Sequence, residues 1–244
     1  MLREGGKRLA RILATLAAEA QPGVSTKALD RRAEELVRAS GDIPILLGYK
    51  PPFADRPYPA TVCISVNNEI VHGIPSEKRI LKEGDIVGFD LAIQHGGLIV
   101  DAARTVAVGK ADAIARKLIS VAEEALAAGI AAARGGNRVG DVGSAIHSIF
   151  KHHKLETPVE LGGHGVGYKV HEDPEIPNVG RKGTGALLRP GMVIAIEPMV
   201  NEGTGETLLA ADGYTVRTAD GKRSAHVEHT IVITDDAPEI LTEL

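Results

Sequence analysis

The sequence predicts an α+β fold: two similar halves, about 1–110 and 111–244, with helices covering a shared antiparallel sheet around a pseudo-two-fold axis. Three observations carry that expectation. Apolar residues recur first at helical and then at strand spacing. The order helix, helix, strands occurs twice along the chain, and short motifs of the first half return in the second.

Residues 2–20 place Leu9, Ile12, Leu13 and Leu16 on one helical face, and Pro22-Gly23 ends that helix. Ser25 or Thr26 caps a second helix over 25–40, with Leu29, Ala33, Leu36 and Val37 inward and Gly41 beyond its end. Residues 60–67 and 85–109 are rich in β-branched residues punctuated by Gly, as strands are. The plan then restarts. A helix over 111–134 is followed by Gly135-Gly136, a helix over 139–152, and strands across 192–233. Val71-His72-Gly73-Ile74-Pro75 is echoed by Val170-His171-Glu172-Asp173-Pro174, and Glu83-Gly84-Asp85-Ile86-Val87 by Pro190-Gly191-Met192-Val193-Ile194. Sites in such duplicated folds belong at the seam.

At 244 residues the chain fits one compact domain, 1–244. Hydrophobic residues at 43% and charged residues at 25% exclude a disordered or fibrous protein. With aromatics at only 3% and no Trp, the core must be packed from Ala, Val, Ile and Leu. Lys and Arg number 28 against 32 Asp and Glu, and no long basic run tracks a phosphate backbone, so nucleic acid is not an expected partner. Charges at Arg3, Glu4, Lys7, Arg8 and Arg11 set residues 1–20 apart from a signal peptide, and charges within 111–134 exclude a membrane span. A lone Cys63 fits a reducing cytoplasm and leaves any metal to His and carboxylate ligands.

Asp90 and Asp101 flank Gln94-His95-Gly96-Gly97, a tight turn between two strands. A two-residue loop at His95-Gly96 sets the two carboxylates directly opposite, with β-carbons roughly 4.5–5.5 Å apart. Among Val87, Phe89, Leu91, Ile99 and Val100 such a pair requires a cation or a proton between the charges. The alternative is a solvated pair on an outward face, and a slipped register would undo the opposition. Further on, His164 lies within Gly162-Gly163-His164-Gly165-Val166-Gly167, a backbone that permits close approach. No P-loop Lys accompanies those glycines. Glu197 ends the apolar run Met192 to Ile196, where a solvated carboxylate is hard to place, and Glu228 sits in Ala225-His226-Val227-Glu228-His229-Thr230.

Together with Val71-His72-Gly73-Ile74-Pro75, His171-Glu172-Asp173-Pro174 and Ile196-Glu197-Pro198-Met199, these motifs resemble the type I methionine aminopeptidases over nearly the whole chain. The resemblance implies the pita-bread fold, itself a duplicated α+β domain. It implies that Asp90, Asp101, His164, Glu197 and Glu228 ligate two divalent metal ions (Co, Mn, Fe or Zn), with Asp101 and Glu228 bridging. It casts His72 and His171 as substrate-binding, catalytic imidazoles and Glu197 as a proton shuttle. Tyr49, Tyr58, Cys63, Val170 and Tyr214 would form the methionine pocket. The chain departs from the family pattern at Val170, at Tyr214, at Gly163, at His226 and in residues 50–57, which resemble an insertion.

The function so implied is removal of the initiator methionine from nascent polypeptide N-termini by a monomeric cytoplasmic enzyme. With the first helix starting near Met1, ribosome contact would come from the domain's own surface. An Xaa-Pro peptidase is the second reading, opposed by chain length, and a non-catalytic peptide-binding relative is the third, opposed by the complete ligand set.

Overall fold

The computed structural model describes residues 1–52 and 54–244. Residues up to 110 form α1 (Leu2–Glu19), α2 (Thr26–Ala39), β1 (Ile43–Pro44), β2 (Cys63–Val66), β3 (Glu69–Val71), β4 (Ile86–His95) and β5 (Leu98–Ala107). The remainder forms α3 (Ala113–Ala132), α4 (Val139–His153), β6 (Gly162–Gly165), β7 (Glu172–Pro177), β8 (Val193–Ile196), β9 (Met199–Asn201), β10 (Thr207–Leu209), β11 (Val216–Thr218), β12 (Ser224–His226), β13 (Glu228–Val232) and β14 (Glu239–Ile240). The order of two helices followed by strands is thus observed twice.

Local chemistry sets the helix bounds. The Ser25 side chain accepts a hydrogen bond from the Ala28 amide at 3.1 Å, and Asp112 accepts from the Ala115 amide at 2.7 Å, so α2 and α3 start where an orphan amide finds an oxygen. The start of α4 is fixed by Asp141, which accepts from the amides of Arg138 at 2.8 Å and Gly183 at 2.9 Å.

The principal sheet runs β1-β4-β5-β13-β8-β6-β7, with β2 also on β4 and β14 on β13, and every pairing is antiparallel. The β5–β13 pairing joins the two parts of the chain. One face carries the helices. Val87, Phe89, Leu91, Ile93, Val100 and Ala102 pack with Leu9, Leu13 and Leu16 of α1 and Leu29 of α2. Ile194, Ile196 and Ile231 pack with Leu118 and Val121 of α3 and Ile146 and Phe150 of α4. Each large apolar side chain removed from water contributes about 1.5–3 kcal/mol, so these two clusters hold the helices on the sheet. The alternate residues of the same strands face the other way: Ala92, Ile99 and Ala195 belong to a third cluster with Cys63, Tyr58, Val166 and Tyr214.

Segment 162–165, outside the strands expected from the sequence, is a strand between β7 and β8. The physical reason is close approach. A β-carbon at Gly163 would lie 2.1 Å from the Ala195 carbonyl oxygen, and one at Gly165 would lie 2.3 Å from that of Asp173. The same glycines that weaken a strand in isolation are the ones that fit here.

Candidate metal centre

Strand parity and register bring all five proposed ligands to the face opposite the helices. On one rung Asp90 pairs with Ala103 and Ala103 with Glu228. One step past the last β13–β8 pair, His229 with Ile196, Glu228 comes opposite Glu197. The adjacent rung runs from Ala92 to Asp101, across to Thr230, and on through Ala195 to His164. The Thr230 hydroxyl accepts from the Asp101 amide at 2.9 Å and donates to the Asp101 carbonyl at 2.6 Å, fixing β5 against β13 beside the carboxylate. Between the ligands stand Ala92, Ala103 and Ala195, whose small side chains leave the floor of a basin open.

Direct opposition of Asp90 and Asp101 is corrected by the structure. Gln94 pairs with Ile99 and His95 with Leu98, so Asp101 faces Ala92 and Asp90 faces Ala103. The loop is Gly96-Gly97, with φ of 58° and 87°, because the tight hairpin turn needs positive φ at both positions and His95 would be strained there. The register differs by two residues, which keeps both carboxylates on one face. Their diagonal relation sets them roughly 7–8 Å apart instead of 4.5–5.5 Å, a wider span for a cation to lie in.

The side chains converge. Ligand atoms of Asp101, His164 and Glu228 lie within 4.8 Å of one another. His164 Nδ1 bonds the Gly165 carbonyl at 2.9 Å, which holds the proton there and leaves the Nε2 lone pair 3.5 Å from Glu197 Oε1. Asp101 Oδ1 and Glu228 Oε1 are buried with no hydrogen-bond partner. Burial, then Glu197, pushes the Asp101 carboxyl up to about 7. Burial pushes Glu197 up to about 8, and burial with the neighbouring carboxylates drives Asp90 and Glu228 well above the usual range. Burial and mutual repulsion disfavour ionising these four acids together without cations. Burial, then His171, holds His164 down to about 4, so its imidazole is neutral and able to ligate. Orphaned oxygens, mutually repelling carboxylates and a neutral imidazole fit a divalent cation site of O/N donors.

His72 follows β3 with φ of 59°, a left-handed backbone rare outside glycine, and burial holds its imidazole down to about 4. His171 stacks edge-on against His164 with ring centroids 4.5 Å apart, and its Nδ1 meets the Tyr49 hydroxyl at 2.9 Å. Tyr49, expected as a pocket wall, therefore orients His171 as well. Tyr58 donates to the Gly73 carbonyl at 2.8 Å and packs edge-on against Tyr214 at 5.1 Å. Cys63 is buried beside them, its thiol pushed up by burial and then by Asp90. These residues, with Leu46, Met199, the four acids and His164, border one cavity of about 930 Å³. Val170, expected to contact substrate, packs in the same apolar cluster as Tyr58, Cys63 and Tyr214, and the cavity lining does not include it. Of residues 50–57, Pro51 borders the cavity, and Phe53 lies outside the described residues. Thr230 and Leu46 were not anticipated. A hydroxyl facing a ligand across a ladder could have been found only with the register known.

Residues 1–235 match the model of metallopeptidase family M24. The chain belongs to that family. This M24 member is 45% identical to a methionine aminopeptidase of Aquifex aeolicus, with 100% of this chain and 95% of the relative covered. It is 41% identical to methionine aminopeptidase 1 of Bacillus subtilis, with 100% and 96% covered. Its fold, the pita-bread fold, superposes on a crystal structure of methionine aminopeptidase from Thermotoga maritima with a TM-score of 0.94 and 39% identity over 99% of this chain and 95% of that one. A prolidase from Pyrococcus furiosus shares the fold alone, at 22% identity and a TM-score of 0.77, and this M24 chain spans 63% of it.

Proposed function

We propose that this M24 peptidase removes the amino-terminal methionine of nascent polypeptides when the second residue is small. The observation that carries the reading is the convergence of Asp90, Asp101, His164, Glu197 and Glu228 on one face, in a chain 45% identical end to end to a methionine aminopeptidase. Asp90, Asp101, His164, Glu197 and Glu228 would hold two divalent cations (Co, Mn, Fe or Zn). Bound there, the cations lower the pKa of water toward neutrality and polarise the scissile carbonyl. Glu197 takes a proton from the attacking water and returns it to the departing amine nitrogen. His171, its Nδ1 engaged by Tyr49, offers Nε2 to the substrate amide, and His72 supplies the second imidazole. Tyr58, Cys63 and Tyr214 wall the side-chain pocket.

The sheet shared between 1–110 and 111–244 supports treating the chain as one catalytic domain. No helix among the described residues is long and apolar enough to cross a membrane, and Cys63 is free. Both features suit a monomer working in the cytoplasm on emerging chains.

The test is turnover of Met-Gly-Met by the purified protein. Activity should vanish with chelator, return with Mn, Co or Fe, and fall at least about a thousandfold in Asp101→Asn. Hydrolysis of Ala-Pro peptides without hydrolysis of Met-Ala peptides would transfer the assignment to the Xaa-Pro class.

A further inference from the structure

One buried imidazole is left without work by this mechanism. His226 ends β12, pairs with Met199, and is only 4% exposed. Its backbone is clamped by Thr105, whose hydroxyl accepts from the His226 amide at 3.0 Å and donates to the His226 carbonyl at 2.6 Å. The ladder continues from the Val227 amide to the Pro198 carbonyl at 3.3 Å, which draws His226 alongside Glu197. His226 Nε2 is buried with no hydrogen bond, and Glu197 Oε2 lies 3.4 Å away. The other Glu197 oxygen, Oε1, faces His164 Nε2 at 3.5 Å. Glu197 is therefore held between two imidazoles, one on each oxygen.

We propose that His226 is the positioning residue for Glu197: its Nε2–H holds Oε2, fixing the carboxylate so that Oε1 alone is presented to the metal centre and to substrate. A buried ring nitrogen left unpaired is uncommon in folded proteins, and Oε2 is the acceptor within reach. Contacts of this kind are long in an unloaded site and tighten as the site fills. Outer partners of ligating carboxylates set ligand orientation and basicity. His226 sits on a strand clamped on both sides, so it can impose a geometry on the carboxylate that follows the end of β8. The inference rests on the reading of Glu197 as a ligand.

The experiment is calorimetric titration of Mn(II) into the metal-free protein and its variants, alongside Met-Gly-Met kinetics. His226→Leu, of similar bulk and without a donor, should weaken Mn(II) binding 10–100-fold, and kcat should fall with KM nearly unchanged. His226→Gln, whose amide can still donate, should keep Mn(II) affinity within about threefold of the parent. If circular dichroism shows that His226→Leu does not fold, His226→Asn carries the comparison, because its amide falls one methylene short and should weaken binding as Leu would. Unchanged affinity in His226→Leu, or equal losses in the Gln variant and in the Leu or Asn variant, would overturn the role of His226. Asp90→Asn separates the two levels of the argument. If it leaves Mn(II) binding intact, the ligand reading itself falls. If it abolishes binding while His226→Leu does not, only the positioning role falls.

Discussion

The two strand pairs that supply the centre are built on opposite principles. β4 and β5 pair over ten uninterrupted rungs from Ile86–Ala107 to His95–Leu98 and deliver Asp90 and Asp101 by simple alternation. β6 delivers His164 from a strand whose ladder to β7 shifts between Gly163 and Gly165 and whose glycines admit neighbouring carbonyls. The long hairpin tolerates ordinary side chains because its neighbours stand at normal strand spacing. β6 lies wedged between two partners and reaches the same basin only by shedding its side chains. Regularity positions the acids; close approach positions the imidazole.

Alanine scanning of glycines breaks or sharpens that contrast most strongly. Gly163→Ala puts a β-carbon 2.1 Å from a backbone oxygen and should cost about 3 kcal/mol, with His164 displaced. Gly88→Ala on β4 meets nothing nearer than the Thr105 hydroxyl at 3.3 Å and should stay within about 1 kcal/mol of the parent. Urea denaturation of both variants measures the difference, and equal costs would refute the contrast. The seam between the two parts comes next. Thr230→Val removes the hydroxyl that serves both the amide and the carbonyl of Asp101 and should destabilise by about 2 kcal/mol. Turnover should fall too, since Asp101 loses its anchor.

Smallest is a pH-dependent difference between helix starts. The Asp141 carboxyl is held below its ordinary value by the Arg138 amide and then the Gly183 amide, so its contribution is complete above the unfolded carboxylate range and is lost as pH falls through the depressed folded value. Asp141→Ala should therefore cost about 1 kcal/mol at neutral pH and progressively less in acid, whereas Ser25→Ala, which removes a cap oxygen that does not itself ionise, should cost about 1 kcal/mol with a weaker pH dependence, arising from its 3.3 Å bond to Glu77. Urea midpoints from pH 7 to pH 3 distinguish the two.

Helix starts and a strand face were legible in the sequence because they depend on local chemistry, whereas the proposed ligand set came as a whole only from the family resemblance. Ser25 and Asp112 announce helix starts by their hydroxyl and carboxylate, and residues 87, 89, 91 and 93 announce a strand face by alternation. The register was not legible, because it hinged on which of His95, Gly96 and Gly97 occupy the positive-φ positions. β6 was missed because glycine reports nothing about the space around it. Long-range partners such as Thr230 with Asp101 and Glu197 with His226 have no local signature at all.

The rung from Asp90 through Ala103 and Glu228 to Glu197 crosses from the earlier to the later part of the chain at β5–β13. An unfinished or partly melted molecule thus owns only fragments of a hydrolytic apparatus. The proposed centre is complete only where β5 meets β13, which ties any cleavage to the folded sheet.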